Sequence, residues 1–564
     1  MRHRLGIFRA IFKKAHGQKS QAESTFYLRA HGGYVMGRFS SKAARIQRRN
    51  RHVAASASDG SDASVYYAFG GSTAFALLLV GAAIVWRPQP ASAIPSFARQ
   101  TGQPCASCHS AFPQLTAFGR RFKLDGYTLG GTRCGGSQTS EMGGTKAAPS
   151  PMRVGAENAA VAAAAAVADN KAAASSSDPP DLQIPISGMV VPSYTHIRKG
   201  LDRADIPQGF DSNDNTFVQE ISVFYGGQIY CNFGAFIQGT YERPGSSYFL
   251  DNTDIRYANK TKLGNIDVAY GVTANNNPTV QDVWNTSPAW SFPFIGASDA
   301  LAPTPSAGTM IEGTFGGRVA GAGVYIFAND KFYLEGTAYG TFDTRTLEAL
   351  GLDPTDPQSR FDGLAPYWRA AYEKDWGNYA LMVGTFGMFA NVAPIGNQSA
   401  PTDKITDVGG DAQFQYIGDV HAFTARFSYI FEHQKLEGSQ PIGLSSNSSD
   451  DLNSLKVSGS YVYNSVLSFS AGYFNIWGNA DPLLFADSLS PSNLGSPNSN
   501  GEIFDVAWLP WSKGGPSFYP WFNARLGVSY THYNQFNGAS ANYNGAFRNA
   551  SDNDTTFVYA WVVF

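Results

Sequence analysis

The residues best suited to chemistry in this sequence are two cysteines and a histidine that lie close together. Cys105, Cys108 and His109 form a CxxCH motif. This spacing is typical of a c-type haem, whose vinyl groups form thioethers with the two cysteines and whose iron binds the adjacent imidazole. A redox or zinc CxxC pair is the alternative, but zinc needs a second pair of ligands and no matching pair lies nearby. The motif therefore predicts one covalent haem c with His109 as an axial ligand.

The motif does not define the ligand on the other side of the iron. The downstream candidates are Met142, Met152, Met189 and His196. We predict Met189, because alternation in the predicted strand 184–197 places it on the polar face, whereas His196 has the opposite parity. A thioether opposite the histidine would also raise the haem potential.

A leader segment precedes the motif. Residues 74–86 form a 13-residue apolar run behind a basic stretch, and Ala91-Ser-Ala93 follows as a small-x-small site. This pattern predicts an export signal, residues 1–93, cleaved after Ala93. A membrane anchor is the alternative, although the run is short for a span. The leader is also longer than a signal needs, which favours a true start codon downstream of Met1.

Composition divides the rest of the chain into three parts. Residues 94–133 are too few to bury a core unaided, so we expect a small helical monohaem cytochrome c segment that needs a host structure. Residues 134–180 are rich in Ala, Gly and Ser, which is typical of a flexible linker. Residues 181–564 alternate apolar and polar side chains with a period of two, which predicts strand after strand.

The fold class we predict is all-β, a 16-stranded antiparallel transmembrane barrel of the porin type. In residues 420–434, for example, Phe423, Phe427 and Phe431 alternate with polar side chains. The predicted connections alternate between long and tight, and the chain ends on an aromatic-rich strand, as in outer-membrane barrels with both termini periplasmic and long loops outside. The predicted strands are 184–197, 216–228, 232–243, 253–259, 266–273, 317–328, 331–343, 365–376, 378–392, 405–417, 420–435, 452–464, 466–477, 501–511, 520–535 and 555–564.

A barrel of this size has a lumen wider than its side chains fill. We expect the loop 275–290 to pack as an ordinary external loop, with a cover over the haem as the alternative. Cys134 and Cys231 are free to pair in an oxidising compartment, but the sequence does not require it. The charged residues predicted to face the lumen are Glu220, Glu242, Asp254, Arg256, Asp267, Glu335, Arg369, Glu373, Asp411, Arg426, Glu432 and Arg525.

Bulk composition excludes several classes of protein. Only 15% of residues are charged and the mean hydropathy is -0.21, which is too polar for a bundle of membrane helices. The formal net charge of -2 gives no basic footprint for nucleic acid. Four cysteines in 564 residues do not make a disulfide framework.

Longer motifs resemble a known family. The chain from residue 94 to 564 resembles the fused outer-membrane cytochrome–porin family, which includes the iron-oxidising cytochromes of chemolithotrophic bacteria. The motifs that carry the resemblance are residues 95–99, 105–109, 112–119, 122–128, 251–257, 270–282, 284–290, 302–305 and 536–543. The long leader, the Ala-rich linker and the additional cysteines depart from the family pattern.

The resemblance implies a function. It implies one haem in or near the barrel mouth, an external donor that is typically Fe(II), and a periplasmic c-type cytochrome or other carrier as acceptor, all within outer-membrane lipid. An oxidoreductase that transfers electrons from Fe(II) is therefore the first hypothesis. An electron conduit for another donor or acceptor is the second, and a solute porin with a haem plug is the third. No catalytic acid–base residue is expected, because such chemistry is carried by the cofactor.

Overall fold

The computed structural model describes residues 89–90, 95–129, 185–245, 247–313, 315–352, 359–396, 401–486 and 491–564. The predicted linker and nearly all of the predicted signal segment lie outside these ranges, as do Met142, Met152 and Cys134. Cys231 takes part in a disulfide.

Within the described chain, sixteen long strands form a closed barrel in which each strand pairs antiparallel with the next and the last pairs with the first. A two-residue strand, Arg360–Phe361, adds a further pairing at residues 392–393. The predicted all-β, 16-stranded antiparallel barrel is therefore confirmed. The strands are β1 (Ile186–Ile197), β2 (Asp214–Tyr230), β3 (Phe233–Glu242), β4 (Ser247–Leu263), β5 (Ile266–Asn275), β6 (Val319–Ala328), β7 (Phe332–Thr341), β8 (Ala365–Trp376), β9 (Tyr379–Ala393), β10 (Asp403–Ile417), β11 (His421–Lys435), β12 (Ser449–Tyr463), β13 (Leu467–Gly478), β14 (Ser499–Trp508), β15 (Asn523–Gln535) and β16 (Thr555–Val563).

The outer face of the barrel is apolar. Successive side chains of a strand point to opposite faces, so alternation in the sequence separates the two surfaces of the barrel wall. On β7, Phe332 and Leu334 are exposed on the outside, whereas Glu335 is buried on the inside. A closed barrel satisfies every strand with hydrogen bonds and presents this apolar surface to lipid, which is how bacterial outer-membrane proteins cross the bilayer. Among the helices that the structure describes, none has the length and apolarity needed to cross a membrane.

The connections are tight at one end of the barrel and mostly long at the other, as predicted. Both barrel termini lie at the tight end, where the backbone of Gly188 exchanges two hydrogen bonds with Phe564. Two connections break the rule. The β3–β4 connection at the long-loop end is short, and residues 509–522 at the tight end form a longer connection between β14 and β15.

The predicted lumen-facing charges are buried with one exception. Asp267 has the lumen-facing parity of Ala269 and Thr273, as predicted, but its side chain is exposed at the tight end of the barrel, where it pairs with Lys262 at 3.2 Å. The position lies one residue from the start of β5, and the tight turn before it leaves both side chains in solvent.

Two segments fill the lumen. Residues 95–129 form three short helices, α1 (Pro95–Thr101), α2 (Cys105–Cys108) and α3 (Ala117–Leu124), at the tight end. The β5–β6 connection, residues 276–318, folds inward and is almost wholly buried. The loop 275–290 therefore does not pack as an ordinary external loop, because it folds into the lumen. Its backbone finds hydrogen-bond partners on lumen-facing side chains that sequence periodicity does not reveal.

Candidate functional site

The CxxCH residues lie inside the barrel. Cys105 and Cys108 begin and end the single turn α2, and a three-residue spacing puts their sulfurs on the same face of a helical turn. Neither cysteine forms a disulfide, and both are buried, at 3% and 6% exposure. His109 follows directly and begins a two-stranded turn with Gln114–Leu115. Local sequence thus places the three side chains around one space.

That space is a large apolar pocket. It encloses about 1480 Å³ that protein atoms do not fill, part of it open to solvent. A pocket with this mainly apolar lining suits an apolar ligand. Cys105, Cys108, His109 and Met189 all line it. Its aromatic lining consists of Phe97, Phe112, Phe122, Tyr127, Phe224, Phe236, Trp290, Phe294 and Trp561.

The barrel wall contacts the first thiol directly. Cys105 Sγ lies 3.0 Å from Tyr519 Oη and accepts a hydrogen bond of 3.0 Å from Asn523 Nδ2. The backbone N–H of Ala106 donates to the carbonyl of Ser512 at 2.9 Å. The connection 509–522 therefore covers α2. Burial raises the pKa of Cys105 to about 11 and that of Cys108 to about 12, so neither thiol resembles the low-pKa nucleophile of a thiol enzyme.

His109 is held neutral. Burial lowers its pKa to about 4, although the backbone carbonyls of Pro113 and Gln114 act in the opposite direction. Its Nδ1 is buried and has no hydrogen-bond partner among residues whose placement is known. A neutral imidazole is the form that ligates metals, so His109 is prepared for that role across the ordinary pH range.

Met189 lies on β1 in the wall of the same pocket. It is 2% exposed and belongs to one apolar cluster with Phe97, Phe122 and Trp561. The inward direction that alternation assigned to Met189 is the one observed. His196 instead points outward and bonds Asp214 at 2.8 Å. Whether Met189 ligates iron stays a prediction.

Close backbone packing joins α2 to α3. A Cβ on Gly119 would overlap the carbonyl oxygen of Cys108 and touch Leu115. Gly119 itself lines the pocket. Only a residue without a side chain allows α3 to approach the CxxCH turn this closely.

Buried polar contacts fix the helical segment to the barrel wall. Arg120 pairs with Glu373 of β8 at 2.8 Å, both almost fully buried. Arg525 of β15 donates to the carbonyl of Phe112 at 2.7 Å. Arg426 of β11 donates to Gln114 at 3.0 Å. Charges that the sequence assigned to the lumen thus position the segment carrying the motif.

The inward loop meets the same network. Lys123 of α3 donates to the loop carbonyls of Val280 and Asp282 at 2.7 and 2.8 Å. Trp284 of the loop donates its indole N–H to Glu373, the partner of Arg120.

A buried arginine holds the loop from the barrel wall. Arg369 of β8 pairs with Asp411 at 2.6 Å and lies 3.5 Å from Asp282. Sequence analysis named the loop 275–290 as a possible cover over the haem but did not single out Asp282 and Trp284 as site residues, because the sequence does not reveal which wall residues they meet.

Comparisons with known proteins give a structural likeness only. No protein-family model matches the chain, and no curated protein matches it. Among solved structures, the chain is similar to the outer membrane channel DcaP of Acinetobacter baumannii, with 12% identity, a TM-score of 0.38 and coverage of 67% of this chain and 96% of that one. It is similar to OmpF of Salmonella typhi, with 14% identity, a TM-score of 0.38 and coverage of 67% and 97%. It is also similar to an anion-selective porin from Comamonas acidovorans, with 10% identity, a TM-score of 0.37 and coverage of 67% and 98%.

Proposed function

We propose that this barrel binds one covalent haem c and transfers electrons across the bacterial outer membrane. The observation that carries the proposal is the joint placement of Cys105, Cys108, His109 and Met189 on one apolar pocket inside the lumen. Two adjacent thiols, a neutral imidazole and a buried thioether are the donor set of a c-type haem with His and Met ligands.

Each residue has a defined role in this proposal. Cys105 and Cys108 would hold the group through thioether bonds, and His109 and Met189 would supply a nitrogen and a sulfur to its iron. The bound group supplies a one-electron redox centre. The aromatic lining keeps water from the centre and lowers the local dielectric, both of which tune a redox potential.

The two ends of the barrel define the direction of electron transfer. The pocket lies between the helical segment at the tight, periplasmic end and the inward loop that enters from the external end. An electron accepted from the external side would leave toward the periplasm at the tight end, through α2 or the connection 509–522. We propose a periplasmic c-type cytochrome or similar carrier as the acceptor.

We propose Fe(II) as the external donor. The family resemblance supports it, and so does a chemical argument: oxidised iron precipitates near neutral pH, so a cell benefits from keeping the metal outside and importing the electron. Each Fe(II) becomes Fe(III) and gives up one electron. No proton has to be moved by a side chain, in agreement with a pocket lined mainly by apolar groups.

The test mixes the oxidised, haem-loaded protein with Fe(II) in a stopped-flow spectrometer. We expect the reduced haem bands to appear in a single phase that depends on the Fe(II) concentration. If no reduction occurs between acidic and neutral pH, Fe(II) is not the donor, and the conduit for another donor replaces it.

The control variant is Cys105→Ala/Cys108→Ala. It should fold as a barrel but show no haem peroxidase staining on a denaturing gel, whereas the wild type stains. Staining that survives the double change would contradict covalent attachment at these residues.

A solute porin plugged by the helical segment is the second candidate function. The observation that favours it is the closed barrel with charged side chains along the lumen wall, which is the general build of a diffusion pore. Here those charges are largely used to hold the helices and the inward loop. Ion conductance separates the two functions.

A further inference from the structure

A buried arginine on the lumen wall lacks an acidic partner. Arg426 of β11 is 5% exposed, and no ion pair within the described chain involves it. Its Nη2 donates to Gln114 Oε1 at 3.0 Å, but its Nε and Nη1 are buried without a partner among residues of known placement. Arg256, Arg369 and Arg525 of the same wall each pair with a carboxylate. Because an uncompensated buried charge strongly destabilises a fold, the Arg426 guanidinium needs an anion.

The surroundings of Arg426 do not supply that anion. Its cross-strand neighbours are Gln413 on β10 and Ser458 on β12, and both are uncharged. The charged groups that act on it are Arg120, which has the same sign, and Asp282. Asp282 already accepts backbone hydrogen bonds from its own loop and lies 3.5 Å from another arginine of the wall. The described part of the chain thus leaves one positive charge of the lumen without a dedicated counter-ion.

The partner of Arg426 adds a further donor. Gln114 is fully buried, and its carbonyl oxygen accepts the hydrogen bond from Arg426. Its amide nitrogen, Nε2, is buried and has no partner among the residues that the structure describes. Three nitrogen atoms on two bonded side chains are therefore available, and all three can only donate. Such a set of donors suits an acceptor with more than one oxygen.

These donors lie at the edge of the haem pocket. The guanidinium carbon of Arg426 lies 5.7 Å from the ring centroid of Phe294, which lines the pocket. The residues on either side of Gln114 line it as well. One of them, Leu115, pairs with His109 in the small two-stranded turn. The unpartnered donors are therefore beside the segment that carries the proposed axial histidine.

We propose that Arg426 and Gln114 bind a carboxylate, and that a propionate side chain of the haem supplies it. The planar guanidinium matches the two oxygens of a carboxylate, and the amide adds a further hydrogen bond. A haem brings two carboxylates into a mainly apolar pocket, where a charge without donors is costly. The inference rests on the proposed function for the source of the carboxylate, whereas the unpaired guanidinium stands on its own geometry. A small free anion is the other source of the same chemistry.

The first test uses haem-loaded protein in detergent, as wild type, Arg426→Gln and Arg426→Lys. Resonance Raman spectroscopy records the propionate bending band, which responds to hydrogen bonding, and a redox titration gives the potential. We expect Arg426→Gln to shift the band and lower the potential, since an uncompensated negative charge favours the oxidised iron. Arg426→Lys keeps the charge and should restore most of the potential. Arg203→Gln, at an exposed arginine of an external loop, is the control and should match the wild type.

The second test uses the haem-free variant Cys105→Ala/Cys108→Ala. Sodium propionate should raise its midpoint of urea unfolding more than sodium chloride of equal concentration does, because a ligand of the folded state stabilises it. Adding Gln114→Glu should abolish that rise, since the new carboxylate pairs with Arg426 and displaces the ligand. Gln114→Glu also provides a folded variant if Arg426→Gln is unstable, because it supplies the missing negative charge.

The two tests together distinguish the sources of the carboxylate. An unchanged band and potential in Arg426→Gln would overturn the haem as the source. If chloride stabilises the haem-free variant as strongly as propionate, the donors hold an inorganic anion and the carboxylate assignment fails. If propionate stabilises the haem-free variant but the wild type carries no covalent haem, the proposed function fails while the carboxylate site holds.

Discussion

At the scale of single residues, one methionine lines the pocket that His109 also lines, where its sulfur would be available to an iron ion. Met189 is buried on β1 and lines the same space as His109. A lone buried methionine is more often a packing residue than a ligand. A substitution that keeps the volume of the side chain but removes its sulfur distinguishes the two roles.

Met189→Leu is therefore the informative substitution. Leucine keeps the volume and apolarity, so we expect a stability loss below about 1.5 kcal/mol. Loss of the thioether should change the visible spectrum of the oxidised protein and lower its reduction potential, since methionine ligation raises it. Spectroelectrochemical titration measures both. Met382→Leu, a buried lumen methionine outside the pocket, is the control and should leave both unchanged. Identical spectra for all three proteins would show that Met189 only packs.

At the scale of elements, α3 and the inward loop are joined through a buried lysine. Lys123 is held between two loop carbonyls and lies 5.0 Å from the ring of Trp290. Burial lowers its pKa to about 7, although Asp254 and Asp282 act in the opposite direction. The charge state of this lysine therefore changes near neutral pH.

The lowered pKa of Lys123 should make the free energy of unfolding depend on pH. Between its folded pKa of about 7 and the ordinary value of 10.5, the unfolded chain binds the proton and the folded protein does not. The free energy of unfolding should rise with pH across that window and should be lowest below pH 7. Lys123→Gln should remove this rise. Urea unfolding in detergent at a series of pH values measures the slope, with the exposed Lys262→Gln as control. A slope that is the same in Lys123→Gln and wild type would contradict the assignment.

Local pattern predicts the strands well and the inward loop poorly. β8, residues 365–376, has the predicted bounds, because alternation there is uninterrupted. β4 begins at Ser247 rather than at 253, because the polar pair Asp251-Asn252 obscures the alternation. Residues 276–318 have no periodicity, and contacts with Arg369, Lys123 and Glu373, distant in sequence, decide their path. CxxCH indicated the site, but the wall residues that hold the helices and the loop depend on the register between strands.

At the scale of the whole molecule, the barrel is wide enough for a pore and yet its lumen is filled. The helical segment blocks the tight end, and the inward loop occupies the middle. Buried ion pairs such as Arg120–Glu373 and Arg369–Asp282 tie both to the wall. Removing one partner of a buried ion pair lowers the stability of a protein by about 3–5 kcal/mol, so the helical segment and the inward loop are firmly held.

Conductance in a planar lipid bilayer tests this filling. We expect wild-type protein to conduct far less than an open sixteen-stranded porin. Deletion of residues 276–318, replaced by a short turn, should raise conductance by opening the middle of the lumen. Substitution of the exposed loop residue Phe547 by Ser leaves the lumen unchanged and serves as control. High conductance in the wild type would favour the solute porin over electron transfer.

The burial of α2 constrains the order in which the protein is made. Cys105 and Cys108 lie inside a closed barrel, beneath the connection 509–522 and in contact with Tyr519 and Asn523. An enzyme that modifies these thiols cannot reach them once the last strand has paired with the first. Under the proposed function, haem attachment therefore has to precede the closure of the barrel, and a chain that closed first would remain without the proposed haem.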